Sequence, residues 1–493
     1  MIGWKLVLSI IFIIIAIEII IVILLENRNP HKALGWIVVL VFLPVVGVII
    51  YLLFGRKNWK LNIINKHASD RFNFSDTPHE LSEDYPLPLQ NDFAKYRRLH
   101  YMVEDETSAQ LLKADEVAIF TNGMDKMDAL LEDVRNAKEF IHIEYYRFLD
   151  DRTGQALASA LIEKAREGVE VRLLCDFVGS FSTRNSFFRN MVRNGVEVTK
   201  FLKVVLPSFK SDLNYRNHRK LVVIDKNIGY LGGMNIADHY TVGNSKGIWH
   251  DTHFRITGMA VNGLESAFMS DWRFSRKIAL SHRYFLNSKT APLPPCPNLS
   301  EGYEKAVKVK DVHLQTFTSG PTGLFRTLLQ AWSRSIYEAV HHIYIETPYF
   351  LPNDSLNKAL IGAALSGVEV VIAVPWESDS TAVRFASQSF YAELINAGVK
   401  IYRFNGPFNH SKLMTIDGYL SFIGSANMDF RSLEYNFELT SIVYDERFAQ
   451  GVEQRILTDI ESHCQLIEKE RWDRRSIMLK LKQSFFRLFS PLM

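Results

Sequence analysis

The chain opens with two apolar runs. From Leu6 to Leu25 nearly every position is Ile, Leu, Val or Phe, interrupted by Ser9 and Glu18. From Ala33 to Phe54 a second run carries Gly35, Pro44 and Gly47. At about 1.5 Å per helical residue, each is long enough to cross a hydrocarbon core of roughly 30 Å. No small-x-small cleavage site follows the first run and the loop between the two is short, so the pattern predicts a membrane hairpin rather than a cleaved leader. Glu18 would cost about 2.5–3.5 kcal/mol at a bilayer centre, and it lies nearer one end of its run. Residues 58–110 are polar and aromatic by turns and read as a membrane-proximal connector. Beyond them, stretches rich in Ala and Leu at helical spacing alternate with short apolar runs of the Gly-Val-Glu-Val type, which predicts an α/β fold.

This alternation occurs twice. Phe120-Thr121-Asn122-Gly123 returns as Phe317-Thr318-Ser319-Gly320, and Ile141-His142-Ile143-Glu144-Tyr145 as Ile343-Tyr344-Ile345-Glu346-Thr347. Gly168-Val169-Glu170-Val171 returns as Gly367-Val368-Glu369-Val370, and Asn194-Gly195-Val196 as Ala397-Gly398-Val399. The repeat predicts two pseudo-symmetric α/β sandwich domains, 111–290 and 312–470, that share one cleft. Between them lies a proline-rich linker, 291–311. An anchor over 1–57, with spans near 6–25 and 33–54, precedes the 58–110 connector. A C-terminal segment, 471–493, completes the division. Glu144 and Glu346 are equivalent under the repeat and either line the cleft or cap their strands.

The chemistry sits in the last repeated unit. Asn217-His218-Arg219-Lys220 leads through an apolar run to Asp225, and Asn409-His410-Ser411-Lys412 leads likewise to Asp417. Both read H-x-K-x-x-x-x-D. Each is followed by a small-residue turn ending in Asn, Gly232-Gly233-Met234-Asn235 and Gly424-Ser425-Ala426-Asn427. A lone His near a Lys is an ordinary surface or core pair; two copies in one register are not. Extended patterning puts His218 with Lys220, and His410 with Lys412, on one face of their strands. Paired imidazoles supply a nucleophile and a general acid, while Lys and Asn hold phosphate oxygens, so the set suits a phosphodiester without a metal or other cofactor. Asp225 and Asp417 read as braces for the motif rather than phosphate ligands. A metal centre is the competing reading, opposed by the lysines and by the absence of zinc-type spacing.

The duplicated motif with its following G-[GS]-x-N resembles the signature of the phospholipase D superfamily. The resemblance implies one composite site of His218, Lys220, Asn235, His410, Lys412 and Asn427, supported by Asp225 and Asp417. It implies a phosphohistidine at the first-copy His218, with His410 as general acid and then base. It also implies a carboxylate orienting each histidine: Glu438 for the second copy and Asp251 for the first. The first-copy turn, Gly-Gly-Met-Asn, lacks the hydroxyl that Ser425 gives the second. The run Asn27-Arg28-Asn29-Pro30, Leu52-Leu53-Phe54-Gly55-Arg56, Ile345-Glu346-Thr347-Pro348-Tyr349-Phe350 and Met428-Asp429-Phe430-Arg431-Ser432 resemble, within that superfamily, the bacterial cardiolipin synthases. That resemblance implies phosphatidylglycerol as both donor and acceptor. The alternative is a membrane-bound phospholipase D, or another phosphatidyltransferase, using water or a different alcohol.

Charge refines the placement. Arg56, Lys57, Lys60 and Lys66 follow the second apolar run, against two cations and one anion between the runs. This bias predicts a multi-pass bacterial cell-membrane protein whose catalytic part faces the cytoplasm. Three scattered cysteines offer no disulfide framework. At 471–493, Arg474, Arg475, Lys480, Lys482 and Arg487 accompany Ile477, Met478, Leu481, Phe485 and Leu488 at helical spacing. The segment reads either as an amphipathic helix on anionic membrane lipids or as a terminal helix packed on its domain. A net charge of +3 gives no nucleic-acid footprint. Oligomeric state is not legible.

Overall fold

The computed structural model describes residues 2–25, 30–51, 91–202, 214–245, 247–276, 308–323 and 325–490. It forms two compact units, one of residues 1–67 with 203–215 and one of the remainder. The expected 291–311 linker lies outside the described residues.

In the first unit α1 (Ile2–Leu25) packs against α2 (Pro30–Phe42) and α3 (Pro44–Ile50). Ala16, Ile23, Leu40, Val48 and Tyr51 form the contact, with the Trp36 ring edge-on to Tyr51 at 5.2 Å. Within the second apolar run the helix breaks at Leu43, which adopts φ −133° and ψ 62°, and residues 52–54 of that run lie outside the described residues. Pro44 has no N–H to donate and disfavours helical geometry in the residue before it. The side chains of α1 are described only from Ile11 to Leu24. Among the described residues, no helix is long and apolar enough to cross a membrane.

The second unit is built on one mixed sheet of fifteen strands. The first half contributes β1 (Leu111–Phe120), β2 (Phe140–Tyr145), β3 (Glu170–Asp176), β4 (Glu197–Phe201), β5 (Lys220–Ile224), β6 (Ile228–Gly232) and β7 (His253–Thr257). The second contributes β8 (Lys308–Ser319), β9 (His342–Glu346), β10 (Glu369–Pro375), β11 (Lys400–Phe404), β12 (Leu413–Ile416), β13 (Leu420–Gly424), β14 (Glu438–Tyr444) and β15 (Cys464–Leu466). Their spatial order is β15-β11-β10-β9-β12-β13-β14-β8-β1-β7-β6-β5-β2-β3-β4. In each half three strands run parallel, and the motif strand (β5 or β12) pairs antiparallel with the nearest of them and with the next strand. The two sheets expected from the repeat are thus one. β1 and β8 would each be an edge; they pair antiparallel instead, from Leu111↔Gln315 to Ala118↔Lys308, and satisfy each other's backbone groups.

Each half keeps its own apolar core. Leu130, Ile143, Leu161, Leu173 and Val222 lie in the first, and Ile336, Ile345, Leu360, Ile372 and Ile416 in the second. The segment read as connector is partly structural. Its end forms α4 (Asn91–Thr107), and Tyr96, Leu99 and Val103 are buried in the second core, Tyr96 stacking on Tyr419 at 5.9 Å.

Candidate active site

The motif aspartates close tight turns far from the histidines. Asp225 and Asp417 both adopt positive φ, 50° and 52°, at the ends of β5 and β12. The Asp225 carboxylate accepts from the backbone N–H groups of Lys138, Glu139 and Phe140 at 2.7, 2.8 and 2.9 Å. Asp417 does the same for Val340, His341 and His342 at 2.9, 2.7 and 3.0 Å, and also pairs with Lys95. Each aspartate therefore anchors the motif strand to the start of its parallel neighbour.

The histidines precede the strands rather than sit within them; Lys220 is the first residue of β5, and Lys412 stands one residue before β12. The backbone there is extended, so the side chains still alternate. Asn217 and Arg219 point to one side, where Asn217 meets Glu144 and Asp271, and Arg219 pairs with Asp271. His218 and Lys220 point to the other. Asn409 repeats this by donating to Glu346 at 3.4 Å. Glu144 and Glu346, left open by the sequence, thus lie beneath the motif as acceptors for its asparagines.

The carboxylate assignment is corrected. Glu438 lies against His218, its two oxygens 3.0 and 3.1 Å from Nδ1, and Asp251 lies against His410, Oδ2 2.6 Å from Nδ1. Each half supplies the carboxylate for the other half's histidine. The cause is backbone pairing across the seam. His218 N–H donates to the Phe437 carbonyl at 2.9 Å and Phe437 N–H to the Arg216 carbonyl at 2.8 Å. His410 N–H donates to the His250 carbonyl at 2.6 Å and His250 N–H to the Phe408 carbonyl at 3.0 Å. The residue after each bridge, Glu438 or Asp251, is thereby carried to the opposite motif.

The two pairs are not alike. Glu438 accepts from Ser425 Oγ at 2.5 Å, Ser432 Oγ at 2.8 Å and Asn436 Nδ2 at 3.2 Å. Burial works to raise its pKa, but His218, Lys220 and the Ser425 hydroxyl outweigh that and hold it below the usual carboxylate range. Asp251 has no hydroxyl partner at the position equivalent to Ser425, because Gly233 stands there. A Cβ on Gly233 would lie 2.1 Å from Asp251 Oδ1, so the missing side chain is the space the carboxylate occupies. Burial pushes Asp251 up to about 7, against the pull of Lys412, Lys220 and Lys126. Burial lowers His218 to about 4 and His410 well below its ordinary value, with Lys412 and Lys220 adding to the latter.

Lys220 and Lys412 are buried, lowered to about 7 and about 8 by desolvation, and both bond back to the carbonyl of their own histidine. Lys412 Nζ also lies 2.9 Å from His410 Nδ1. Asn235 donates to Tyr240 OH at 3.0 Å, and Tyr240 OH lies 3.3 Å from His410 Nδ1. Asn427 donates to Asp429 at 3.3 Å, and among the described residues its Oδ1 has no partner. Trp249, Tyr240, Phe408 and Tyr349 ring His410, with centroids 5.3 to 6.2 Å away. His218 has Tyr146 at 5.1 Å. The aromatic collar, Ser432, Asn436 and Lys126 were not found from sequence. A lysine on the buried stripe of an amphipathic helix was the one available signal, and it belongs to Lys126 in α5 (Gly123–Asn136).

Among the described residues, His250, Glu346 and Asp459 converge closely enough to hold a cation. Arg455 already pairs with Asp459 and lies 2.6 Å from His250 Nε2, which supplies the positive charge there.

Residues 130–268 and 333–460 match the family described as cardiolipin synthase, PLD-like domain, and residues 10–56 match the phospholipase D-nuclease N-terminal family. A cardiolipin synthase of Oceanobacillus iheyensis is 36% identical over 96% of this chain and 96% of its own. The chain belongs to the cardiolipin synthase family. Within this family, cardiolipin synthase 2 of Bacillus anthracis is also 36% identical, over 96% of this chain and 89% of its own. The fold is shared with the crystal structure of a phosphatidylserine synthase from Haemophilus influenzae, with TM-score 0.59 and 15% identity over 81% of this chain and 98% of that one.

Proposed function

We propose that this cardiolipin synthase family member transfers a phosphatidyl group from one phosphatidylglycerol to another, releasing glycerol and forming cardiolipin. The crossed pairs His218–Glu438 and His410–Asp251 carry this reading. With Nδ1 of His218 turned to Glu438, Nε2 is free to attack the donor phosphorus. A P–N bond forms as the P–O bond to glycerol breaks, and His410 gives its proton to the departing oxygen. The acceptor hydroxyl then loses its proton to His410 and attacks phosphorus, breaking the P–N bond. Lys220 and Lys412, with Asn235 and Asn427, are the phosphate-binding set, and their charge favours the five-coordinate phosphorus. Asp225 and Asp417 brace the two halves of this site from their turns.

The lipid surface enters from both ends of the chain. The apolar hairpin of α1 to α3, with Ile14, Ile17, Ile21, Val41 and Phe42 exposed, suits insertion in a bacterial cell membrane, and the cations after it favour a cytoplasmic catalytic unit. The C-terminal helix, Ile477–Arg487, supports both sequence readings in part. It is packed on the domain through Gln483, which donates to Gln388 at 3.0 Å, and through Phe486 on Phe385. It also leaves Ile477 (72%), Met478 (71%), Leu481 and Phe485 exposed along one row, an apolar face suited to an anionic leaflet.

Full-length protein incubated with headgroup-labelled phosphatidylglycerol in vesicles tests the reaction. Cardiolipin with equimolar glycerol is expected; phosphatidic acid would make the chain a hydrolase instead. His218→Ala and His410→Ala are each expected to abolish transfer, and survival of activity in either would sink the two-histidine scheme.

A further inference from the structure

Beyond the motifs the two halves differ at the rim of the cleft. Phe350 bridges Met428 as Phe148 bridges Ile236, so Tyr349 stands where the first half has Arg147. β3 and β10 are equally long, and the residue after each donates to the end of the next strand, Phe177 N–H to the Phe201 carbonyl and Trp376 N–H to the Phe404 carbonyl. Asp379 therefore stands where the first half has Ser180. Ser180 is buried and turned to the backbone, accepting from Phe148 N–H at 3.1 Å and donating to the Tyr146 carbonyl at 3.2 Å. Arg147 lies over the Tyr146 ring at 5.8 Å. Asp379 is exposed instead. Its Oδ2 accepts from Tyr349 OH at 2.9 Å and its Oδ1 from Ser378 Oγ at 3.3 Å. The Tyr349 ring stands edge-on to His410 at 6.2 Å and lies 6.1 Å from the Phe408 ring, so this carboxylate is tied to the collar around His410. The first half carries a cation at this rim and the second a set of acceptors.

We propose that Asp379, aimed by Tyr349, determines specificity for the alcohol by accepting a hydrogen bond from the free secondary hydroxyl of the glycerol headgroup. This rests on the transfer reading above, in which His410 serves the alcohol side of the reaction. Both half-reactions present that hydroxyl there. The leaving glycerol departs by a primary oxygen and the acceptor attacks by one, and each time the neighbouring carbon bears a free hydroxyl. An ionised carboxylate accepts and does not donate, and each Asp379 oxygen, with one donor, keeps a lone pair for an alcohol. The phenol that donates to Asp379 can still accept at its own oxygen, and its ring gives the carbon chain of the headgroup an apolar wall. Water has no second hydroxyl to offer, so this contact favours glycerol over water. An ammonium headgroup would also meet a carboxylate. Lys412, with Nζ 2.9 Å from His410 Nδ1, already places a cation beside that histidine and opposes another, whereas a neutral diol meets no such repulsion.

The test is alcohol exchange by full-length protein in phosphatidylglycerol vesicles, with propylene glycol, its isomer trimethylene glycol, or ethanolamine added as acceptor. Both glycols have a primary hydroxyl, and only propylene glycol has a second one on the adjacent carbon. The unaltered protein is expected to favour propylene glycol about tenfold, the discrimination that one hydrogen bond to a charged acceptor supplies. Asp379→Ala should bring the ratio of the two rates to about one. Tyr349→Phe, which removes the donor that aims the carboxylate, should lower the ratio by less. Each ratio is taken within one preparation, so a partly folded variant slows both reactions and leaves the ratio readable. A ratio near one in the unaltered protein, or a preference that survives in Asp379→Ala, would overturn the proposal. So would a preference for ethanolamine that disappears in Asp379→Ala, which would make the pair an ammonium site. Absence of transfer to any alcohol by the unaltered protein would strike the transfer reading first, and this inference with it.

Discussion

Asp251 and Glu438 occupy equivalent places in the repeat and differ by one methylene group and the company they keep. Glu438 stays ionised among hydroxyl and amide donors, while Asp251 titrates at about 7. Activity is therefore expected to rise as pH climbs through about 7, where Asp251 loses its proton. The decline at higher pH should follow Lys220 and Lys412, as those cations discharge from about 7 to 8 upward. His218, at about 4, stays neutral across this range and sets neither limb. Rates measured from about pH 3 to 10 would check this, and an acid limb near 4 would transfer control to His218. Gly233→Ala is expected to lower turnover about a hundredfold, because its methyl group takes the place of Asp251 Oδ1. The histidines, lysines and asparagines were legible because they repeat in register. The crossing of the carboxylates was not. It arises from backbone bridges between segments hundreds of residues apart, and each carboxylate follows its own motif in sequence.

At the scale of elements, the motif aspartates join strands. Asp225→Ala or Asp417→Ala strands three backbone N–H donors and is expected to destabilise the fold by about 2–3 kcal/mol, read as a lower Tm in thermal denaturation. The bracing role was readable because each aspartate follows an apolar strand run directly. Strands and helices of the repeat were readable too, from Gly-Val-Glu-Val starts and helical spacing. Two elements escaped. The second apolar run ignores its own hydropathy at Leu43, where Pro44 overrides it. α4 lies in a stretch too polar to look like core, yet Tyr96, Leu99 and Val103 fall on one face of it and fill a gap in the second half.

For the whole molecule, the sheet and its surfaces set the relation to lipid. Leu481→Glu with Phe485→Glu should lower turnover in anionic vesicles about tenfold while leaving activity in detergent micelles intact. Equal loss, or none, in both settings would make the helix a packing element only. The repeat foretold two similar halves, but not that their edges fuse, since edge pairing leaves no mark in the hydrophobic pattern. The fused seam from Leu111↔Gln315 to Ala118↔Lys308 has a further consequence. Strands joined by a ladder of backbone hydrogen bonds cannot swing apart as hinged lobes do. Shielding of the site from water then falls to side chains already in place, the aromatic rings around His410 among them, rather than to a closing movement of the two halves.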